Sequence, residues 1–130
     1  MREERGLSMS AFVAVVVLAL LVVAGLVVDG GAQAVAARRA ELVASAAARA
    51  AADETAAARL AGREPDAGVA IATAQRVLAG SGDVTGEVRL VAGRVRVSTT
   101  TTVEPVFLSL IGIQRLVGRG AAEADLVSNR

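Results

Sequence analysis

Residues 11–28 read AFVAVVVLALLVVAGLVV, eighteen positions without a polar side chain, and no charge occurs from Gly6 to Val28. As a helix this block extends about 27 Å at 1.5 Å per residue, close to the roughly 30 Å hydrocarbon core of a bilayer. Valine favours helix only weakly in water. In lipid, however, the backbone must satisfy its own hydrogen bonds, and helix prevails. Burying such a helix in a soluble protein would need a large surrounding core. The rest of the chain is dominated by alanine and has Phe107 as its sole aromatic, so it cannot supply one. The block predicts a membrane-inserting helix over 11–28, behind a cytoplasmic flank at 1–10. Ser8 and Ser10 would lie in the headgroup region, and the lipid bilayer is the first expected partner.

Two uses of such a segment compete. In the first it is a secretory signal with MREER as its basic end and Ala32-Gln33-Ala34 as an A-x-A cleavage site, which would release a small secreted protein near Ala34. In the second it is a permanent single-pass anchor. Eighteen apolar residues exceed the usual 7–15 of a signal core, and A-x-A patterns are common in a chain this rich in alanine, so the anchor is the expected use. A short flank ahead of the block and a folded region behind it favour N-in, C-out in a cell membrane. Arg2 and Arg5 on one side and Arg38 and Arg39 on the other leave the positive-inside rule nearly balanced.

Residues 29–80 read as an Ala-rich helical region. Asp29-Gly30-Gly31 marks the membrane exit and permits a bend. Ala, Arg and Glu then dominate, and no proline occurs before Pro65. Ala32, Ala36, Ala40, Ala44, Ala48, Ala52 and Ala56 recur every four residues, a row of small side chains that lets another helix approach closely. Ala36, Ala40, Ala44, Ala48 and Ala52 are its candidate helix-packing positions. Arg49 and Asp53, one turn apart, can pair on the solvated face. After a break at 62–68, Asp66 can cap a second helix from Ala67 to Ala79. Ile71, Ala74 and Leu78 share one face of it, and Gly80 ends it.

Residues 81–130 switch to period two and predict a small antiparallel β region. A two-residue loop at Ala92-Gly93 places Leu90 opposite Val95, Val88 opposite Val97 and Arg89 opposite Arg96. Ala-Gly is a weak signal for the tightest hairpin turn, which leaves a bulged turn open. Thr99 to Thr102 prolong the second strand to Val103, and Glu104-Pro105 end it. Leu116, Gly118, Gly120, Ala122, Ala124 and Leu126 then alternate with Val117, Arg119, Ala121, Glu123 and Asp125, as in a third strand with a small-residue inner face. Between them, VFLSLIGI at 106–113 is the densest apolar stretch outside the membrane block. Its default reading is a plug for the sheet, and the alternative is an element lying on the membrane surface. The fold class is α+β.

The residue inventory excludes most chemistry. With no His, Cys or Lys, the Ser and Thr hydroxyls have no base to activate them, and the commonest metal ligands are missing. The carboxylates Asp53, Glu54, Glu64 and Asp66 are interspersed with Arg59 and Arg63 and read as a charge-balanced surface. Asp29 reads as a boundary residue near the headgroups. Gly80-Ser81-Gly82 is too short for a phosphate loop. A formal charge of +1, without Tyr or Trp, gives no reason to expect nucleic acid. Enzymatic activity, cofactors, metals and small-molecule substrates are therefore not expected.

Taken in order, the features line up with a family. Arg5-Gly6 precedes the apolar block, which ends in Ala24-Gly25-Leu26-Val27-Val28-Asp29-Gly30-Gly31. Ala37-Arg38-Arg39-Ala40 and Ala46-Ala47-Ala48-Arg49-Ala50 follow, then the valine-alternating strand, the FLSLIGI element and the strand containing Ala122 and Ala124. This order resembles the TadE/TadG group of Flp (tight adherence) pilus-assembly proteins, closest to the TadG-like N-terminal type. The resemblance implies a pilin-like fold and a pseudopilin or accessory role in pilus assembly or secretion. Its implied partners are other membrane proteins or pilin-like helices of that assembly. It also makes Gly6 a candidate processing site, with Leu7 as the first mature residue. Prepilin-like members carry Glu at the fifth mature position, where this chain has Ala11, and that departure speaks against processing at Gly6.

Overall fold

The computed structural model describes residues 2–126. Its order is helix α1 (Arg2–Leu60), helix α2 (Ala67–Ala79), strands β1 (Thr85–Val91) and β2 (Arg94–Val103), a one-turn 3-10 helix (Leu108–Ile111) and strand β3 (Leu116–Asp125). The fold is α+β, as expected, with a three-stranded antiparallel sheet in the order β1-β2-β3. Met1 and residues 127–130, parts of the anticipated flank and β region, lie outside the described residues.

α1 is a single helix of 59 residues, about 88 Å long at 1.5 Å per residue. It runs through Gly25, Gly30 and Gly31 without a break. The bend permitted there does not occur, and none of these glycines adopts positive φ. From Ala36 onward the rest of the protein packs along the helix. α1 stops where the sequence lets it. Gly62 takes φ 69°, its N–H donates to Arg59 O, and Arg63 N–H donates back to Ala58 O at 2.8 Å. This is the Schellman ending that only a residue tolerant of left-handed backbone provides easily. Asp66 then caps α2 by accepting from Gly68 N–H at 2.7 Å, at the position expected. The buried face of α2 is Ala70, Ala74 and Leu78, while Ile71 is only half-buried.

The hairpin register places Val88 opposite Val97, Arg89 opposite Arg96 and Leu90 opposite Val95. The turn is the tight two-residue form, with Ala92 at φ 51° and Gly93 at φ 78°. Both values are positive, as the mirror-image turn that suits right-twisted strands requires. The core is small: Ala44, Ala47, Ala48 and Ala51 of α1, Ala70, Ala74 and Leu78 of α2, Val95 and Val97 of β2, and Leu126.

β3 lies along α1 with the two backbones in contact. A methyl group built on Gly118 would sit 2.4 Å from the carbonyl carbon of Ala36, and one on Gly120 would sit 2.3 Å from Glu41 N and 2.4 Å from the carbonyl carbon of Ala40. The spacings are commensurate. Four helical residues rise about 6.0 Å and two strand residues about 6.6 Å, so each small residue on β3 meets the next alanine of the four-residue row. Ala122 and Ala124, further along the same face of β3, pack against the core cluster that includes Ala44 and Ala48. The Thr99 hydroxyl ties β2 to the same face, donating to Ala40 O at 2.6 Å.

Two outcomes follow for the full chain in detergent. Gly120→Ala pushes backbone against backbone, where no rotamer change gives relief. It is expected to cost about 3 kcal/mol and to lower the thermal midpoint by roughly 10–20 °C. Ala92→Asn relieves an alanine held in left-handed backbone and is expected to raise stability by about 0.5–1 kcal/mol, read as a higher midpoint in the same melt.

Candidate functional site

Described side chains from Ser8 to Ala24 are all exposed, including Phe12, Leu18, Leu20 and Leu21. An unbroken apolar surface of this extent is not sustained in water. α1 is thus the one helix, among the described residues, long and apolar enough to cross a membrane. Over residues 8–24 it is not the buried core helix of a soluble fold, because none of the described residues covers that stretch.

Burial begins at Gly25 and Asp29, one turn apart at the end of the apolar block. Asp29 is 1% exposed. Its Oδ1 accepts from Val106 N–H at 2.7 Å, and its Oδ2 accepts from Phe107 N–H at 3.0 Å and Leu108 N–H at 2.6 Å. Three consecutive amides thus point into one carboxylate. No arginine lies within ion-pair distance of it among the described residues, so its partners are these backbone N–H groups. Gly25 leaves the space that Phe107 fills: a methyl group there would lie 2.9 Å from Phe107 Cβ and Cγ. Gly25 and Asp29 together form a seat on α1 for the segment at 106–108.

The seated segment is a compact knob. Pro105 is buried, and the 3-10 turn at Leu108–Ile111 closes on Gly112, whose φ is 92°. Gly112 N–H donates to Ser109 O, and Ile113 N–H donates to Leu108 O, each at 3.1 Å. This overturns the expected plug. The knob contributes nothing to the core cluster, and Val106, Leu110 and Ile111 project outward. Asp29, expected as a boundary residue near the headgroups, is also buried and holds a contact 77 residues away in sequence.

The remaining sequence candidates fall as follows. Gly6 is exposed within α1, and Leu7 is helical beside it. Ala32 is half-buried and Ala34 exposed, both within the uninterrupted helix. Ala36 and Ala40 lie under β3, Ala44 and Ala48 sit in the core with α2 and the sheet, and Ala52 is half-buried. Strands and helix of this same chain therefore occupy the middle of the alanine row. Ala47 and Ala51, off the four-residue row, are fully buried as well. The burial stripe shifts by three residues there, as a 3.6-residue period requires. No ion pair joins Arg49 to Asp53 among the described residues, and Asp66 is used as a cap.

On the outer sheet face Arg89 pairs with Glu87 at 2.8 Å, and that hydrogen bond, then the charge, raises its pKa. Arg96 binds Glu123 of β3, and Arg94 binds Asp125 at 2.7 Å. Of the arginine pair visible in the hairpin, Arg89 is therefore met by Glu87 of its own strand and Arg96 by Glu123 of the third. These pairs are exposed, so each adds little to stability. No cluster of three metal-ligating His, Cys, Asp or Glu side chains occurs among the described residues. No protein-family model, curated protein or solved structure matches the chain.

Removing the carboxylate tests the seat. Asp29→Ala leaves three amides without their acceptor and is expected to cost about 3 kcal/mol, with faster hydrogen exchange at Val106, Phe107 and Leu108 and early proteolysis at 104–115. Asp29→Asn keeps one acceptor oxygen and should fall between Asp29→Ala and the parent.

Proposed function

We propose that the protein is a non-enzymatic, single-pass membrane component of a Flp/Tad-type pilus-assembly or secretion system, acting through helix packing and protein–protein contacts as a pseudopilin or accessory factor. The observation that carries the anchor reading is the seat at Gly25 and Asp29. The last turn of the apolar block and the residue following it belong to the folded body. Cleavage after Ala34 would cut α1 ahead of Ala36, remove Asp29 and strand the amides of 106–108. A segment bound into the fold in this way suits a retained anchor better than a discarded signal. The proposed placement is N-in, C-out, with the sheet outside the cytoplasm.

The assignment to pilus assembly rests on the order of sequence features that resembles the TadE/TadG group, joined to a helix that passes from an apolar span into a small sheet. Ala11 stands at the fifth position after Gly6, where an intramembrane Glu would be expected in a processed prepilin. An accessory role without processing is accordingly preferred to incorporation in the filament.

The tests separate the two levels of the proposal. The protein should remain in the membrane pellet after carbonate washing with its amino terminus intact. A mature start at Val35 would establish the secreted alternative, and a start at Leu7 would establish pilin-type processing. Deletion of the gene should abolish pili and complementation restore them; normal piliation in the deletion strain would refute the assembly role while leaving the anchor untouched.

A further inference from the structure

We propose that the knob at 106–113 is a second lipid-contacting element, inserted into the interfacial layer of the leaflet on the sheet's side of the membrane, beside the end of the span. The inference rests on the reading of 11–28 as an anchor and goes beyond it, because a span needs no such companion.

Depth carries the argument. The carboxylate of Asp29 directly follows Val28, the last residue of the apolar block, and grips the amides of Val106, Phe107 and Leu108. Phe107 rests on Gly25, one helical turn, about 6 Å, inside the block. If α1 crosses the bilayer, the knob is held at the level of residues 25–29. That level is the boundary between hydrocarbon and headgroups. At the same level Leu26 and Val27 on α1 are 70% and 68% exposed and face lipid. The knob presents the same chemistry: Leu110 is 84% exposed and Ile111 74%, with Val106 and Ile113 also exposed. Its apolar surface therefore continues the lipid-facing surface of the span.

Its boundaries fit an interfacial element. Glu104 on one side and Gln114 and Arg115 on the other are exposed and polar, suited to headgroups and water. The backbone of the turn is closed internally by Gly112 and Ile113 and at its start by Asp29. Few free amides are thus carried toward the apolar layer, which is what partial insertion demands. Exposed leucine and isoleucine at the tip of a soluble loop would be a liability; in the interface they gain from leaving water, as the apolar face of a surface-bound element does.

The absence of cysteine makes the test direct. Ile111→Cys, Leu20→Cys and Ser98→Cys each give a single labelling site in the full chain for an environment-sensitive fluorophore. The labelled proteins are reconstituted in phosphatidylethanolamine/phosphatidylglycerol vesicles with nitroxide-labelled lipids. The expected result is strong quenching at 111 by shallow nitroxides, strong quenching at 20 by deep ones, and none at 98 on the outer sheet face. Quenching at 20 with a probe at 111 that behaves like the one at 98 overturns the proposal and leaves the anchor standing. A blue-shifted but unquenched probe at 111 also overturns it, since a second protein surface then covers the knob. Loss of quenching at both 20 and 111 removes the anchor reading and this inference together.

Discussion

At Gly118 and Gly120 the main chain of β3 runs so close to the main chain of α1 that a single added methyl group would overlap helix backbone atoms. With one aromatic outside the span and few leucines, the folded body has little bulky apolar surface to bury. Small domains are already short of it. Close approach is the available remedy, because dispersion falls steeply with separation and many small contacts add up. The remedy demands smallness on both partners at matched intervals. Alanine every fourth residue on the helix and glycine or alanine every second residue on the strand meet that demand, since the two rises nearly coincide. The Thr99 hydroxyl on Ala40 O, the Val95–Val97 pair and the alanines of α2 are arranged around this contact.

A second consequence concerns the junction with the apolar span. Because β3 is laid along the helix from Ala36 onward, the segment that precedes it must descend to the level of Asp29. Its leading amides arrive there without partners from the sheet. A carboxylate with two oxygens and several lone pairs is the side chain best suited to receive three of them. Gly25, one turn below, clears the space for Phe107. Seat and sheet are thus two results of one alignment.

Much of the fold could be read from local signals, for reasons residues make plain. Asp66 and Gly80 bound α2 because a cap and a stop act within one turn. The β1–β2 register followed from period-two alternation around Ala92-Gly93, where pairing is set by neighbours in sequence. The inner face of β3 was equally visible as alternating Leu, Gly and Ala. Nonlocal choices were hidden. The role of Asp29 depends on amides 77 or more residues away, and no spacing rule links a carboxylate after a span to a loop before the last strand. The knob was misplaced because apolar density alone does not say whether a segment is buried in the core or left exposed. The alanine row suggested helix packing, whereas its commensurate partner along 36–40 is a strand; only the pair of glycines in β3 hinted at so near a neighbour.

The continuity of α1 has a mechanical meaning. A helix without a hinge at Gly30-Gly31, flanked along its second half by a sheet and holding the 106–108 segment on its own Asp29, behaves as one lever. Tilt of the apolar half becomes swing of the sheet, and torque on the sheet is delivered to the apolar half, because the helix is unbroken between them. A force applied at one end of this molecule therefore moves the other.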